Sequence, residues 1–330
     1  MTGRPHIPVM LAEVLAAASI ADGDLVVDAT FGNGGYSEAF LQQANCSVIG
    51  LDRDPTVQPR AEALAHKYDD RFRLVETPFS EMDQRDLPMA DVVVFDIGVS
   101  SMQIDQAERG FSFQKDGPLD MRMSRSGPTA QDAVMSLSEG ELATLFKFYG
   151  EERHARRVAQ RIVEARTESA ITTTAELADI VEAAIGRSGK IHPATRVFQA
   201  LRIFINDELG ELYRGLCAAE NLLKPDGRLV VVTFHSLEDR IAKQFLRDRA
   251  GEVEGGSRYA PAVAVTGPDA SFSLPRRSVV KPTKSEEAGN PRSRSAKLRL
   301  AIRTAAKAHP SDPNAWLPTK LDVPSLERLT

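Results

Sequence analysis

Cysteine is nearly missing from this chain of 330 residues: Cys46 and Cys217 stand far apart. Two such residues exclude a disulfide framework or a thiolate zinc cluster, and they suit a reducing compartment. No other cluster of metal-ligand type is evident, so no metal is expected. Long apolar runs are missing too. None approaches the ~18 residues of a membrane-spanning helix, which removes the membrane as an expected partner. The opening "MTGRPHIPVMLAEVL" carries Glu13 inside its apolar stretch and lacks the apolar core and cleavage site of a signal peptide. A cytoplasmic protein is expected. An excess of positive charge is absent as well, the formal net charge being −5.

That average hides a gradient. Between Arg276 and Lys307 ten Lys and Arg residues face only Glu286 and Glu287. A basic stripe on an acidic protein fits a polyanionic partner, and it equally fits a solvated tail. The length exceeds that of a usual single domain, so an insertion or a second domain is expected. The hydrophobic share of 42% suffices for a core of normal size.

"DLVVDAT", "CSVIGLD", "FRLVET" and "ADVVVFDIG" are short β-branched runs separated by helical patterns or loops. Near-continuous apolar strands between helices imply a parallel sheet covered on both faces. The pattern resumes at "AAENLLKPDGRLVVVTFHS", read as a helix end, a Pro-Asp-Gly turn and a buried strand. "EDRIAKQFLRD" then reads as a helix and "AKLRLAIRT" as a late strand. From about Ser138 to Leu223 the periodicity is helical throughout, with Thr174 as an N-cap and Gly186 at a helix end. The chain therefore divides into 1–109, an inserted helical domain over 110–206, and 207–330. Gly251 to Asn290, rich in Gly, Pro and Ser, reads as a long loop.

In "VVDATFGNGGYS" the first strand ends in Asp28, and a loop with Gly32, Gly34 and Gly35 follows. Such a loop turns bare backbone N–H groups and a helix start toward a ligand. Asp52, ending "VIGLD", lies where an acid grips a ribose diol. Those features suit NAD and S-adenosylmethionine alike. Asp28 separates the two, because a carboxylate there repels a pyrophosphate and attracts the ammonium end of a methionine moiety. It also fits a plain turn acid. In "DVVVFDIGVSS", Asp96 closes the fourth strand beside the switch point of the sheet. There an acid can accept a hydrogen bond from an amine to be methylated. The aromatic platform expected beside it is missing from Ile97, Gly98 and Val99, leaving Phe111, Phe113 or Phe234 to supply one.

"DATFGNGGYS", "GLDRDP", "PFS", "DIGVSS", "ERGFSFQKDGPLDMRM", "YGEE", "HPATRVFQALRIFIN", "FHSLEDR" and "NPRSRSAKLR" occur here in one order. In that order they resemble the MraW/RsmH family of bacterial 16S ribosomal RNA cytosine-N4-methyltransferases. The resemblance runs to about Arg303. It implies a class I, Rossmann-like α/β sheet with an inserted all-helical domain, S-adenosyl-L-methionine as cofactor, and 16S RNA of the small ribosomal subunit as partner. The substrate it implies is the N4 amine of a cytidine in the decoding centre. A homodimer is compatible with it. Carried over by position, the cofactor residues are Gly34, Gly35, Tyr36, Asp52, Phe79, Asp96 and Gln103, with Phe79 against the adenine. Tyr36 stands where many relatives have His.

On "HPATRVFQALRIFIND", Arg196, Gln199, Arg202 and Asn206 fall within about a third of a turn at ~100° per residue. They form either a solvated helix face or a wall for RNA phosphate and base edges, and the family resemblance favours the wall. His235 and Ser236 follow the fifth strand. His235 fits a substrate contact or proton acceptor, and also a structural hydrogen bond at a strand end. "DGPLDMRM", with Asp116, Asp120 and Arg122, either covers the site or braces the insertion. Other readings remain: a methyltransferase of another RNA or of DNA, an RNA-binding assembly factor with a vestigial pocket, and a nicotinamide enzyme. Methyl transfer to ribosomal RNA and failure to bind NADH discriminate among them.

Overall fold

The computed structural model describes residues 8–187, 189, 192–251, 268–275, 279–310, 312, 314–317 and 323–329. Two compact units emerge: Met1–Gly98 with Leu209–Trp316, and Val99–Glu208 with Leu317–Thr330.

The first unit is built on a seven-stranded sheet. Its N-terminal part runs α1 (Leu11–Ala18), β1 (Leu25–Asp28), α2 (Gly35–Gln43), β2 (Ser47–Asp52), α3 (Gln58–Tyr68), β3 (Phe72–Glu76) and β4 (Ala90–Asp96). The second unit follows with α4 (Ser101–Asp105), α5 (Ala130–Ser136), α6 (Glu139–Phe148), α7 (Ala155–Glu168), α8 (Thr174–Ile185) and α9 (Ala194–Ile205). The chain then returns to the sheet through α10 (Glu208–Leu222), β5 (Leu223–Thr233), α11 (Ser236–Arg249), β6 (Phe272–Ser273), α12 (Lys284–Gly289) and β7 (Lys297–Arg303). The strand order is β3-β2-β1-β4-β5-β7-β6, parallel from β3 to β5 and antiparallel at β7. The strand order reverses between the parallel β1 and β4, so their carboxyl ends frame the switch point where such sheets bind ligands. The expected class I architecture is present, and the helical unit is inserted between two adjacent strands.

Burial explains why the β-branched runs became strands. Val26 and Val27 of β1, Val93 to Phe95 of β4 and Val230 to Val232 of β5 are fully buried, as a sheet covered on both faces requires.

Several local expectations are corrected. "KPDG" is not a turn before β5 but an irregularity within it. Ala90 pairs with Leu223 and Val92 with Arg228, so two steps on β4 span five on β5. The surplus is absorbed as a bulge at Asp226, whose φ is +66°. The N-cap of α8 is Thr173 rather than Thr174. Thr173 has extended backbone and accepts from Glu176 N, whereas Thr174 is the buried first helical residue. Within Gly251–Asn290 the described residues include β6 and α12, too short to leave a periodic signature. Arg276 and Arg277 lie outside the described residues.

"DGPLDMRM" braces the second unit. Asp116 Oδ1 accepts from Ala175 N at 3.0 Å, and Leu119 N donates to Thr172 O at 2.9 Å. Arg109 Nη2 donates to the carbonyls of Arg122 and Met123, which ties the stretch before 110 to the same unit.

Candidate active site

The glycine loop follows from what surrounds it. Gly32 and Gly34 have φ of +51° and +67°, a region costly for residues with a Cβ. A Cβ at Gly34 would meet the Phe31 ring at 2.8 Å, and one at Gly35 would meet Pro8 at 2.5 Å. Both glycines therefore make room for protein neighbours, with Gly34 as the N-cap of α2 and Gly35 as its first residue. Tyr36, buried, donates from its hydroxyl to Val9 O. Burial pushes that hydroxyl's pKa well up, and the charges of Asp96 and Asp28 add to the effect. The phenol thus pins the N-terminal segment over the loop, a role the sequence did not suggest.

Asp52, expected at a ribose, orders the loop by itself. Its Oδ2 accepts from Gly32 N and its Oδ1 from Asp54 N, both at 2.8 Å. Each oxygen keeps a lone pair for a diol. Burial raises its pKa against the lowering effect of those two N–H groups. Phe79, half-buried, packs edge-on against Phe95 at 5.4 Å between centroids.

The carboxyl ends of β1, β4 and β5 gather acids. Asp28, 1% exposed, accepts from Ser37 Oγ at 2.7 Å and from Thr30 N at 3.3 Å. Thr30 also links it to Asp96, because Thr30 Oγ1 accepts from Asp96 N at 2.7 Å. Asp96 Oδ1 is buried without a hydrogen-bond partner among the described residues. Burial holds the Asp96 carboxyl well above the usual carboxylate range, and the charges of Asp28 and Glu238 push it further. Burial likewise raises Asp28 to about 6, with hydrogen bonds from Ser37 and Thr30 opposing and Asp52 adding to the rise. The principal charges acting on Asp28 and Asp96 are those of other acids. A buried anionic edge of this kind is suited to a cationic ligand.

His235 is the N-cap of α11. Its Nδ1 accepts from Glu238 N at 3.4 Å, and Glu238 Oε2 accepts in return from the backbone N–H groups of Phe234 and His235. Nε2 lies 2.8 Å from Glu238 Oε1, outside hydrogen-bond alignment. Both ring nitrogens therefore face Glu238, and the structural alternative for His235 describes this geometry. Ser236 is exposed in the first turn of α11. Glu238, fully buried beneath this edge, was missed in the sequence. Its position three residues after a cap, the spacing of a capping box, was the available signal.

In the second unit Gln103, buried, accepts through Oε1 from Ser100 N at 3.0 Å. The polar face expected on α9 is mostly turned into protein. Asn206 is buried: its Oδ1 accepts from Met123 N, and its Nδ2 donates to the carbonyls of Met121 and Arg202. Arg202 forks onto Glu208 through Nε at 2.7 Å and Nη2 at 2.9 Å. Gln199 Nε2 donates to Tyr149 O at 3.1 Å. Of the four, only Arg196 is exposed. Phe113 packs on His192 and Phe198, Arg109 lies over the Phe111 ring, and Phe234 approaches Gly98.

Cys46 is buried just before β2, at the strand's amino end, with Sγ donating to Phe40 O. Cys217 is buried within α10. The basic stripe is also reduced. Lys297 and Arg299 pair with Asp239 at 2.8 Å, and Arg303 is buried, donating to Glu220 O and Ser271 O.

A family model described as the MraW methylase family matches residues 3–304. A ribosomal RNA small subunit methyltransferase H of Maricaulis maris is 58% identical over 95% of this chain and 96% of its own. The protein of the same name from Caulobacter vibrioides is 54% identical over 93% of this chain and 98% of its own. Among solved structures, an rRNA methylase from Streptococcus thermophilus aligns over 92% of this chain and 99% of its own, at 10% identity and a TM-score of 0.40.

Proposed function

The chain belongs to the MraW methylase family, and from that premise we propose that it transfers a methyl group from S-adenosylmethionine to the N4 amine of a cytidine in the decoding centre of 16S ribosomal RNA. The observation that carries this reading is the lone acceptor Asp96 Oδ1, buried among acids at the switch point of the sheet. The relatives' names, ribosomal RNA small subunit methyltransferase H, support the choice of RNA.

The residues present fit the cofactor. Its ammonium and sulfonium groups are cations, and Asp28 and Asp96 form a buried acidic edge. Gly34, Gly35 and Tyr36 would border its amino-acid end. The free lone pairs of Asp52 would take the ribose, and Phe79 the adenine, with Gln103 assigned to the same cofactor. When bound, S-adenosylmethionine supplies an electrophilic methyl group on a positively charged sulfur.

The remaining steps belong to the chain and the base. A base that undergoes chemistry leaves its stack. The N4 lone pair of cytosine is delocalised into the ring, so the amine is a poor nucleophile until an acceptor draws on its N–H. Asp96 Oδ1 is that acceptor, and it receives the amine's proton as the N–C bond forms. Burial raises its affinity for a proton above that of an ordinary aspartate, which suits it to take the proton the amine gives up. His235 acts as a positioning residue that fixes Glu238 and the start of α11, with Ser236, Arg196, Gln199, Arg202 and Asn206 serving the substrate side directly or through the helix they hold.

The cysteines support the amine over C5 of the ring. Methylating C5 needs a thiolate that adds to the base from the sheet's carboxyl edge. Cys46 is buried at the opposite end of β2, and burial pushes its thiol up. Incubation with tritiated S-adenosylmethionine and small subunits from cells lacking the protein provides the test. Label is expected to enter 16S RNA with the wild type and with Cys46→Ala/Cys217→Ala, and to fall at least a hundredfold with Asp96→Ala. A dead double-cysteine variant, or a fully active Asp96→Ala, contradicts the proposal.

A further inference from the structure

Three helices of the second unit start alike. α5, α6 and α8 open on capping boxes completed by Asp132, Glu141 and Glu176, which set negative charge against the positive end of the helix. α7 departs from this pattern. Its N-cap His154 makes no side-chain cap bond, and its first turn holds no acid. "RHARRVAQR", from Arg153 to Arg161, has four arginines, one histidine and no acidic residue.

Arg153, Arg156 and Arg157 are all exposed. None of the three has an ion pair or hydrogen bond among the described residues. Other exposed arginines are paired, Arg85 with Glu81, Arg161 with Glu164, Arg187 with Glu182 and Arg328 with Glu141, or stand singly, as Arg73, Arg125 and Arg294 do; three unpaired within five residues is the distinction of this segment. Arg156, Arg157 and Gln160 share the outer face of α7, while Ala155, Val158, Ala159 and Ile162 are buried on the other.

A fourth arginine joins them. α9 also begins without an acid or a side-chain cap, and Arg196 stands exposed in its first turn. The start of α9 abuts the turn that leads into α7. A Cβ at Gly150 would lie 2.5 Å from Arg196 O, and Arg196 Nη1 lies 3.9 Å from Glu152 Oε2. On a protein of net charge −5 this concentration of like charge is locally unfavourable, and among the described residues only the loose pairing of Arg196 with Glu152 relieves it. Guanidinium groups match phosphate oxygens in charge and in the geometry of their paired N–H donors.

We propose that Arg153, Arg156, Arg157 and Arg196 form a docking surface for the phosphodiester backbone of RNA. Such contacts hold and orient a strand without reading its sequence. The choice of RNA as the polyanion rests on the function proposed above; the surface itself rests on the unpaired Arg153, Arg156 and Arg157 and on the exposed Arg196 beside the turn that leads to them.

The test uses the full-length protein and a fluorescein-labelled single-stranded polycytidylate of twenty nucleotides, titrated by anisotropy at several potassium chloride concentrations. The variants are Arg153→Gln/Arg156→Gln/Arg157→Gln and, as control, Arg85→Gln/Arg187→Gln/Arg328→Gln. Each lost phosphate contact lowers the salt slope on single strands by roughly 0.7, so the first variant should lose about 2 from its slope and at least tenfold in affinity near 0.1 M salt. The control should stay within about twofold of the wild type. Gln propagates a helix about as well as Arg, so the thermal midpoint should be unchanged or higher. A slope and affinity equal to the wild type overturn the docking surface, as would be found if the arginines serve an acidic protein instead. Methyl transfer to small subunits, measured alongside, separates the two proposals. Transfer by the wild type with unaltered RNA binding by the triple variant removes only the surface. Absent transfer with lost RNA binding removes only the proposed reaction.

Discussion

Asp28 carries the clearest consequence at the scale of single residues. Burial raises its pKa from 3.8 to about 6 in the folded protein. The folded state then binds a proton at Asp28 more tightly than the unfolded chain does, so the stability this group contributes is fully present below the lower value and is lost as pH rises through the higher. The loss amounts to about 3 kcal/mol by pH 7 in the cofactor-free protein. Asp28→Asn should lessen the slope between pH 5 and pH 7.5 in urea titrations, where Asp96 and Asp52 retain their own shares, raise stability at the higher pH, and weaken S-adenosylmethionine at least tenfold. A slope as steep as that of the wild type assigns the effect elsewhere. Asp28 and Asp96 were legible in the sequence because each ends an apolar run, and an apolar run of that length becomes a strand. Their companion Glu238 was not. It approaches Asp96 only because β5 lies beside β4, an adjacency created after the whole helical unit has been threaded between them. Tyr36 was legible as a position and not as an interaction, since its partner Val9 O is a backbone atom with no sequence signature.

At the scale of elements, α11 depends on its first turn. His235 and Glu238 cap each other's backbone. Loss of an N-cap costs about 1 kcal/mol, so His235→Ala should lower stability by that amount, whereas His235→Asn, a residue well suited to capping, should retain it. Methyl transfer measured in parallel tells positioning from proton transfer: His235→Asn is expected to keep most activity, and an inactive but equally stable Asn variant would assign the ring to the chemistry. The long helices were readable from periodicity, and the four strands before the insertion from β-branched runs. β6 and α12 were too short to show a period. The strand β5 conceals a bulge because "KPDG" has turn composition wherever it occurs, and only the pairing with β4 fixes what it does. The polar stripe on α9 was read correctly as a stripe. Its orientation failed because Asn206 satisfies three backbone groups of the protein, a demand invisible in a helical projection.

At the scale of the whole molecule the average charge misdirects in both directions. The basic segment near the C-terminus loses Lys297, Arg299 and Arg303 to internal partners, leaving Lys281, Lys284, Arg294 and Lys307 exposed. The unpaired arginines of α7 attract no attention in a chain of net negative charge, and only burial and pairing set them apart. The two-part organisation was legible from the change of periodicity after the fourth strand. Its boundaries were not, because Arg109 binds the carbonyls of Arg122 and Met123 across a stretch with no regular pattern. Small subunits from cells lacking the protein, incubated with the purified enzyme and deuteromethyl S-adenosylmethionine, are digested to nucleosides and separated by liquid chromatography with mass detection. The account predicts one new deuterated nucleoside that co-elutes with N4-methylcytidine. A deuterated nucleoside co-eluting with 5-methylcytidine, or none at all, contradicts it.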